Sequence, residues 1–228
     1  MKKNKPFIKV PKDGFKRAND KGILEEYLFF LILKPVNIEG KFNTKERNKI
    51  SSLVKYSKSY TNKLIRSCIE LGFIREEGDI LQLSNYDKSF EILGYNLDNK
   101  DTKTFNIRKG NFKIFKIKGT KNIKQVLERE IFLEEIKLWF AQQLFMVRKK
   151  LKKNKGVQCR NTEEYKKTIE PLKLIEFNFL LSVRSLAYKF GYSSASKGHS
   201  ILKDLILCNL LKVVGKHSVY ECNIVKIL

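Results

Sequence analysis

The sequence predicts a mostly α-helical α+β chain, in which two similar helical domains with small β-hairpins are joined by a β-hairpin region and a long helix. Three observations lead to this fold class. One pattern of apolar and small residues occurs twice, about 136 positions apart. A separate stretch over residues 122–153 keeps helical apolar spacing throughout. Finally, 228 residues, of which 42% are hydrophobic, are enough to bury the cores of two small domains.

The repeated pattern begins at Ile50 in its first copy and at Leu186 in its second. The dipeptides Tyr56-Ser57 and Tyr192-Ser193 follow at the same offset of 136 and mark a turn. After the turn one residue is inserted, and the offset stays at 137 through a second helix. A short helix, a tight turn and a helix with apolar residues three and four apart are typical of a helix-turn-helix.

An apolar pair follows the second helix of each copy and leads to Gly78 or Gly215, which predicts a β-hairpin wing. Both copies therefore resemble winged helix-turn-helix units, a superfamily that is mostly DNA-binding. Two such units and a bridging helix are similar to the layout of tandem winged-helix plasmid replication initiators. The resemblance implies two winged helix-turn-helix domains that bind double-stranded DNA through their second helices.

Residues 1–20 carry seven basic and two acidic side chains with two prolines and a glycine, which predicts a basic extended arm. The first winged-helix domain is predicted over residues 21–90. It opens with a buried helix from Gly22 to Lys34 that Pro35 ends. Thr44 is the predicted cap of the next helix.

Residues 91–155 form a predicted insertion between the domains. Phe105 and Ile107 alternate with polar residues, which predicts a strand, and Gly110-Asn111 is a candidate hairpin turn after it. The helix from Asn122 to Lys153 follows, and at about 1.5 Å per residue it is long enough to bridge two domains.

The second winged-helix domain is predicted over residues 156–228. Ser182 is the expected cap of its first helix, and its second helix should run from about Ala195 to Asn209. The second wing is predicted from Leu211 to Cys222.

The polar faces of the two second helices are the candidate DNA-reading surfaces. No acid occurs from residue 57 through 69, and in the second copy none precedes Asp204. Arg can bond bidentately to guanine and Asn to adenine, whereas Ser and Lys suit phosphate. The predicted contacts are Ser59, Tyr60, Asn62, Lys63 and Arg66 in the first copy and Ser196, Lys197, His199, Ser200 and Lys203 in the second.

Further phosphate contacts are predicted in the second wing and at the end of the long helix. They are Lys216, Arg148, Lys149, Lys150, Lys152 and Lys153. Cations at a helix C-terminus also interact favourably with the helix dipole, so the basic end of the long helix has two interpretations. Three acids, Glu76, Glu77 and Asp79, should keep the first wing tip out of a groove.

The formal charge of +23, from 47 Lys and Arg against 24 Asp and Glu, indicates a polyanionic partner. A Gly-rich phosphate loop and the common catalytic motifs are missing from the sequence, so we expect no enzyme, no catalytic residue and no cofactor. Four scattered cysteines and two histidines make a metal site unexpected. The sequence has neither an 18-residue apolar stretch nor a secretory signal, which predicts no membrane contact and a cytoplasmic, nucleoid-associated protein.

Two hypotheses follow for the function. The first is a sequence-specific double-stranded DNA-binding protein that acts as a transcription regulator or replication initiator of a mobile element. Its further partner would be a second copy of the chain or a protein of the replication or transcription machinery. The alternative is a winged-helix protein-interaction module that binds RNA or other nucleic acid without sequence preference.

The charge generates the first prediction. If about six to ten phosphates are neutralised, the affinity for duplex DNA should fall by about three to five powers of ten between roughly 50 and 200 mM salt. Fluorescence anisotropy titrations over this range measure the slope. A nearly flat salt response would contradict the electrostatic interpretation of the charge.

Overall fold

The computed structural model describes residues 7–37, 39–96, 102–108, 123–153, 178–217 and 222–228. The chain divides into two compact units, Met1–Ile131 and Phe132–Leu228. Each unit combines helices with small antiparallel sheets, so the α+β fold class predicted from the sequence is confirmed.

In the described part of the first unit, the initial element is a strand, and a 3-10 turn precedes the third helix. Its elements are β1 (Phe7–Pro11), α1 (Gly14–Asp20), α2 (Leu24–Leu33), β2 (Lys41–Asn43), the 3-10 turn (Thr44–Glu46), α3 (Arg47–Val54), α4 (Lys58–Glu70), β3 (Ile74–Glu77), β4 (Ile80–Leu83), α5 (Tyr86–Ile92), β5 (Thr104–Arg108) and the start of α6 (Ile123–Lys153).

The described residues of the second unit form the remainder of α6 and five further elements. These are β6 (Phe179–Leu181), α7 (Val183–Lys189), α8 (Ala195–Leu207), β7 (Leu211–His217) and β8 (Cys222–Ile227). The long helix predicted from the apolar spacing therefore exists, and its bounds agree with the prediction to within one residue.

Where the structure describes them, the two units share one order of elements: helix, strand, helix, helix, strand, strand. In the first unit these are α2, β2, α3, α4, β3 and β4, and the sheet order is β2-β4-β3. In the second they are α6, β6, α7, α8, β7 and β8, and the sheet order is β6-β8-β7. All neighbouring strands in both sheets are antiparallel. The repeat found in the sequence is therefore also a repeat of backbone structure.

The turns of the two units correspond, and the second is one residue longer. Helices α4 and α8 each have 13 residues, and they are capped by Ser57 and Ser194, whose hydroxyls accept from backbone N–H groups at 3.2 Å. Before them, Lys55 and Gly191 both adopt a left-handed conformation, with φ of 57° and 77°. This conformation reverses the chain between the two helices of each pair.

The core of the first unit surrounds α2. Every residue from Tyr27 to Leu33 is buried, as the dense apolar run predicted. Helix α2 packs against α4, and the ring of Phe30 lies 5.2 Å from the ring of Phe73 just after α4. Burial of each such aromatic side chain stabilises the fold by about 1.5–3 kcal/mol. This contact fixes which side of α4 faces inward.

The core of the second unit is built around α6. The rings of Phe132 and Phe190 pack in a tilted arrangement with centroids 4.3 Å apart, and Trp139 meets Phe179 edge-on at 5.2 Å. Glu135 is also buried on this side, and Lys189 Nζ of α7 lies 3.5 Å from its Oε2. A buried carboxylate needs such a partner, because an unpaired buried charge costs several kcal/mol. The pair therefore constrains how α6 and α7 meet.

The prediction of an extended N-terminal arm is wrong for residues 7–20. Strand β1 pairs with β5, so that Ile8 lies opposite Ile107 and Val10 opposite Phe105, and all four side chains are buried. Helix α1 follows directly. Period-two alternation of apolar residues outweighs the basic composition here, because it gives the segment a face to bury. Residues 1–6 lie outside the described part of the chain.

Two local predictions also need correction. Asn43, not Thr44, caps the turn before α3, since its side chain accepts from the backbone N–H of Lys45 at 2.9 Å. The strand predicted around Phe105 exists as β5, but the partner that the structure gives it is β1. The candidate hairpin turn Gly110-Asn111 lies in residues 109–122, outside the described residues.

Gly198 lies inside α8 because two helices meet there. A Cβ at this position would be 2.0 Å from the backbone oxygen of Val183 in α7, which is too close for two non-bonded atoms. Glycine in a helix interior costs about 1 kcal/mol relative to alanine. The close approach of α7 and α8 explains why glycine is present in spite of that cost.

This contact generates a prediction. Gly198→Ala should lower the free energy of unfolding of the second unit by about 1–3 kcal/mol, because the Val183 backbone must move. Trp139 is the only tryptophan and lies in this unit, so its fluorescence during urea unfolding reports the change. Gly215→Ala is the matched control, since its Cβ would meet only Ile224 Cδ1 at 3.5 Å. Equal stability of the two variants would contradict the steric explanation.

Candidate nucleic-acid interface

Helix α4 has two sharply different sides. Thr61, Leu64, Ile65 and Cys68 are buried. At about 100° per residue, the opposite side carries a stripe of polar residues along the helix axis. The stripe consists of Ser59, Lys63, Arg66 and Glu70, all of them exposed, with half-buried Asn62 beside it. The sequence-predicted residues Ser59, Asn62, Lys63 and Arg66 therefore share one surface, and with Ser67 and Glu70 they line a shallow depression.

The cations of this stripe are available to an external anion. Among the described residues, neither Lys63 nor Arg66 has an intramolecular hydrogen-bond or ion-pair partner. Other cations of the unit do, such as half-buried Arg47, whose Nη2 lies 2.8 Å from Glu76 Oε1. An Arg held by a carboxylate of its own chain is less free to bond a base or a phosphate. Arg66 keeps all its donors free for such a contact.

Tyr60, a predicted DNA contact, also has a partner within the first unit. Its hydroxyl donates to Glu25 Oε2 at 3.4 Å, and its ring meets Tyr56 edge-on at 5.2 Å. Burial and the negative charge of Glu25 raise the pKa of the Tyr60 hydroxyl. Tyr60 thus joins the first turn of α4 to α2, while its side chain remains partly exposed.

Glu25 is the centre of a polar cluster that the sequence did not reveal. Its other carboxylate oxygen, Oε1, accepts from Lys124 of α6, and Lys124 Nζ also lies 3.9 Å from Glu128 Oε1. Burial, and then the charge of Glu25, raise the pKa of Tyr56 well above its ordinary value. Side chains from α2, α4, α6 and the turn before α4 therefore meet at the N-terminal end of α4.

Helix α8 repeats the arrangement of α4 with different side chains. Gly198, Ile201, Leu202 and Leu205 are buried. The sequence-predicted residues are all exposed: Ser196, Lys197, His199, Ser200 and Lys203. Lys197 Nζ lies 5.7 Å from the centre of the Tyr192 ring, a cation–π distance that holds the ammonium near the turn before α8. Unlike the α4 stripe, this surface has no arginine.

The two wings differ in charge. The tip of the first consists of Gly78 and Asp79 between Glu77 and Ile80, and all these residues are exposed. The tip of the first wing therefore presents two acids, Glu77 and Asp79, at the surface. In the second wing Lys216 is exposed on β7. Residues 218–221 of that hairpin lie outside the described residues.

Arg148 and Lys149 are exposed near the C-terminal end of α6. The other predicted cations of this cluster are Lys150, Lys152 and Lys153, and their side chains are not among those that the structure describes.

The described residues contain no group of three or more His, Cys, Asp or Glu side chains that could hold a metal ion. Across the same residues, no helix combines the length and the apolar character that crossing a membrane requires.

Comparisons of the chain with protein-family models, with curated proteins and with solved structures each found no match.

The placement of Tyr60 generates a prediction. Tyr60→Phe should lower the free energy of unfolding by about 0.5–1.5 kcal/mol, because the hydrogen bond to Glu25 is lost. The affinity for duplex DNA and its salt slope should stay unchanged, whereas Lys63→Ala should reduce the slope by about one. Urea unfolding and anisotropy titrations measure the two quantities. A Tyr60→Phe variant with native stability and weakened DNA binding would show that the hydroxyl contacts DNA.

Proposed function

We propose that this chain is a sequence-specific double-stranded DNA-binding protein with two tandem winged helix-turn-helix units. The observation that carries the proposal is the repeated order of helix, strand, helix, helix, strand, strand, with an exposed second helix whose cations have free donors. In this proposal α4 and α8 are the recognition helices, and the β3–β4 and β7–β8 hairpins are the wings.

The physical basis of recognition by α4 is a match of size and donors. The major groove of B-DNA, about 12 Å wide, admits an α-helix. The stripe then brings Arg66 to a guanine and Asn62 to an adenine, while Ser59 and Lys63 contact phosphates. A face without ion pairs of its own loses no internal contacts when it binds.

The remaining basic residues contact the phosphates of DNA and do not recognise its bases. Lys216 in the second wing suits a phosphate, and so do Arg148, Lys149 and the sequence-predicted Lys150, Lys152 and Lys153. The acidic tip of the first wing stays outside the grooves, because it would face phosphates of like charge. The two wings therefore differ in function.

For the biological role, we propose a transcription regulator or replication initiator of a mobile element, located in the cytoplasm with the nucleoid. This role rests on the resemblance in layout to tandem winged-helix replication initiators. A second copy of the chain, or a replication or transcription protein, is the proposed further partner.

The test is selection of bound fragments from a random duplex pool at physiological salt. Recovery of a preferred sequence supports the proposal. Salt-sensitive binding without any preference would instead support the alternative, a winged-helix interaction module that binds RNA or other nucleic acid non-specifically.

Substitution of Arg66 gives a sharper prediction. Arg66→Ala should cost about 1–3 kcal/mol of binding free energy on the preferred duplex and relax the preference at one base pair. Arg75→Ala is the matched control. Arg75 is also exposed, but its strand neighbour Ile74 is buried, so Arg75 lies on the outer side of the sheet, away from α4.

Loss of the basic cluster on α6 should have a different effect. Replacing Lys149, Lys150, Lys152 and Lys153 by Ala should weaken all duplexes alike. If Arg66→Ala also lowers preferred and random binding equally, Arg66 contacts phosphate and the reading surface lies elsewhere.

A further inference from the structure

Leu207, the last residue of α8, is 71% exposed. At about 100° per residue it falls on the same stripe as Ser196, Ser200 and Lys203, directly opposite the buried Leu205 side of the helix. A large apolar side chain thus continues the polar surface of α8 instead of joining the core.

The position of Leu207 has a counterpart in the first unit. Ser59 corresponds to Ser196 and Glu70 to Leu207, each 137 positions later in the chain. The α4 stripe therefore ends in an acid that repels DNA, whereas the α8 stripe ends in an apolar group. From Ser196 to Leu207 the stripe extends over about 16 Å, which matches about five base-pair steps of duplex.

The edge strand next to α8 carries apolar side chains, Val213 and Val214, but it is unsuited to pairing with a second copy of the chain. They lie on β7, flanked by Lys212 and Lys216, and a bulge interrupts the ladder between Val213 and Gly215. Charged side chains and bulges on an edge strand oppose pairing with another chain.

The chemistry of the major groove supplies an apolar partner for Leu207. Among the base edges exposed there, the C5 methyl group of thymine is the apolar group that a side chain can contact. We infer that Leu207 is a specificity-determining residue of the second unit that contacts a thymine methyl group, an inference that rests on the proposed function. The first unit then selects guanine and adenine through Arg66 and Asn62, and the second selects thymine.

The experiment removes the methyl group from DNA and the side chain from the protein in turn. In the duplex selected by the wild-type protein, each thymine is replaced singly by deoxyuridine, which lacks only the C5 methyl group. Affinities are measured for wild type, Leu207→Ala, Leu207→Met and Leu53→Ala. Leu53 is the matched control, because it is also exposed, at 41%, but lies on α3.

At one or two thymines, deoxyuridine should lower wild-type affinity about fourfold, the value expected for loss of one buried methyl group. The same loss should occur with Leu53→Ala and Leu207→Met, and it should disappear with Leu207→Ala. Leu207 is exposed, so the variant should fold normally, which the Trp139 fluorescence verifies.

If Leu207→Ala loses affinity for deoxyuridine duplexes as much as wild type at every position, the inference is overturned while the proposed function stands. If the wild-type protein selects no preferred duplex, the proposed function is overturned and this inference with it.

Discussion

The architecture of both units depends on burial of one side of the second helix of each helix pair. Four residues of α4 and four of α8, at three- and four-residue spacing, face the core. Since a helix has a fixed rotation per residue, this burial also determines which residues face outward. The exposed stripes of α4 and α8 are therefore defined by the core packing and not by any local feature of the stripes themselves.

The two units hold the start of this helix in different ways. In the first, a carboxylate of α2 joins Tyr60 of α4 to Lys124 of α6, so side-chain hydrogen bonds position the first turn. In the second, Gly198 allows the backbone of α8 to contact the backbone of α7 at Val183. Polar contacts can rearrange at moderate cost, but a backbone contact cannot. The orientation of α8 is thus fixed more rigidly by sterics than that of α4.

Sequence periodicity was sufficient to predict the long helices, but it was insufficient to predict the short elements. Helices α4, α6 and α8 each bury apolar residues at regular helical spacing, which identified them. Strands β2 and β6 have three residues each, too few for a periodic signal, and α5 offers only a short apolar pattern after its Asn85 cap. The exposed site residues were predictable because a buried side implies an exposed one. The role of Glu25 could not be predicted from the sequence, because Glu25 lies 35 positions from its partner Tyr60 in the chain.

The left-handed residues that close each helix pair have a consequence for local opening. In the first unit this conformation falls on Lys55 before α4 and on Gly72 after it, and in the second on Gly191 before α8 and on Asn209 after it. A side chain other than glycine in this conformation costs about 1–2 kcal/mol, with Asn tolerated best. Backbone amides should therefore become accessible to solvent exchange first at the front of α4, but first at the rear of α8. The two helices fray from opposite ends.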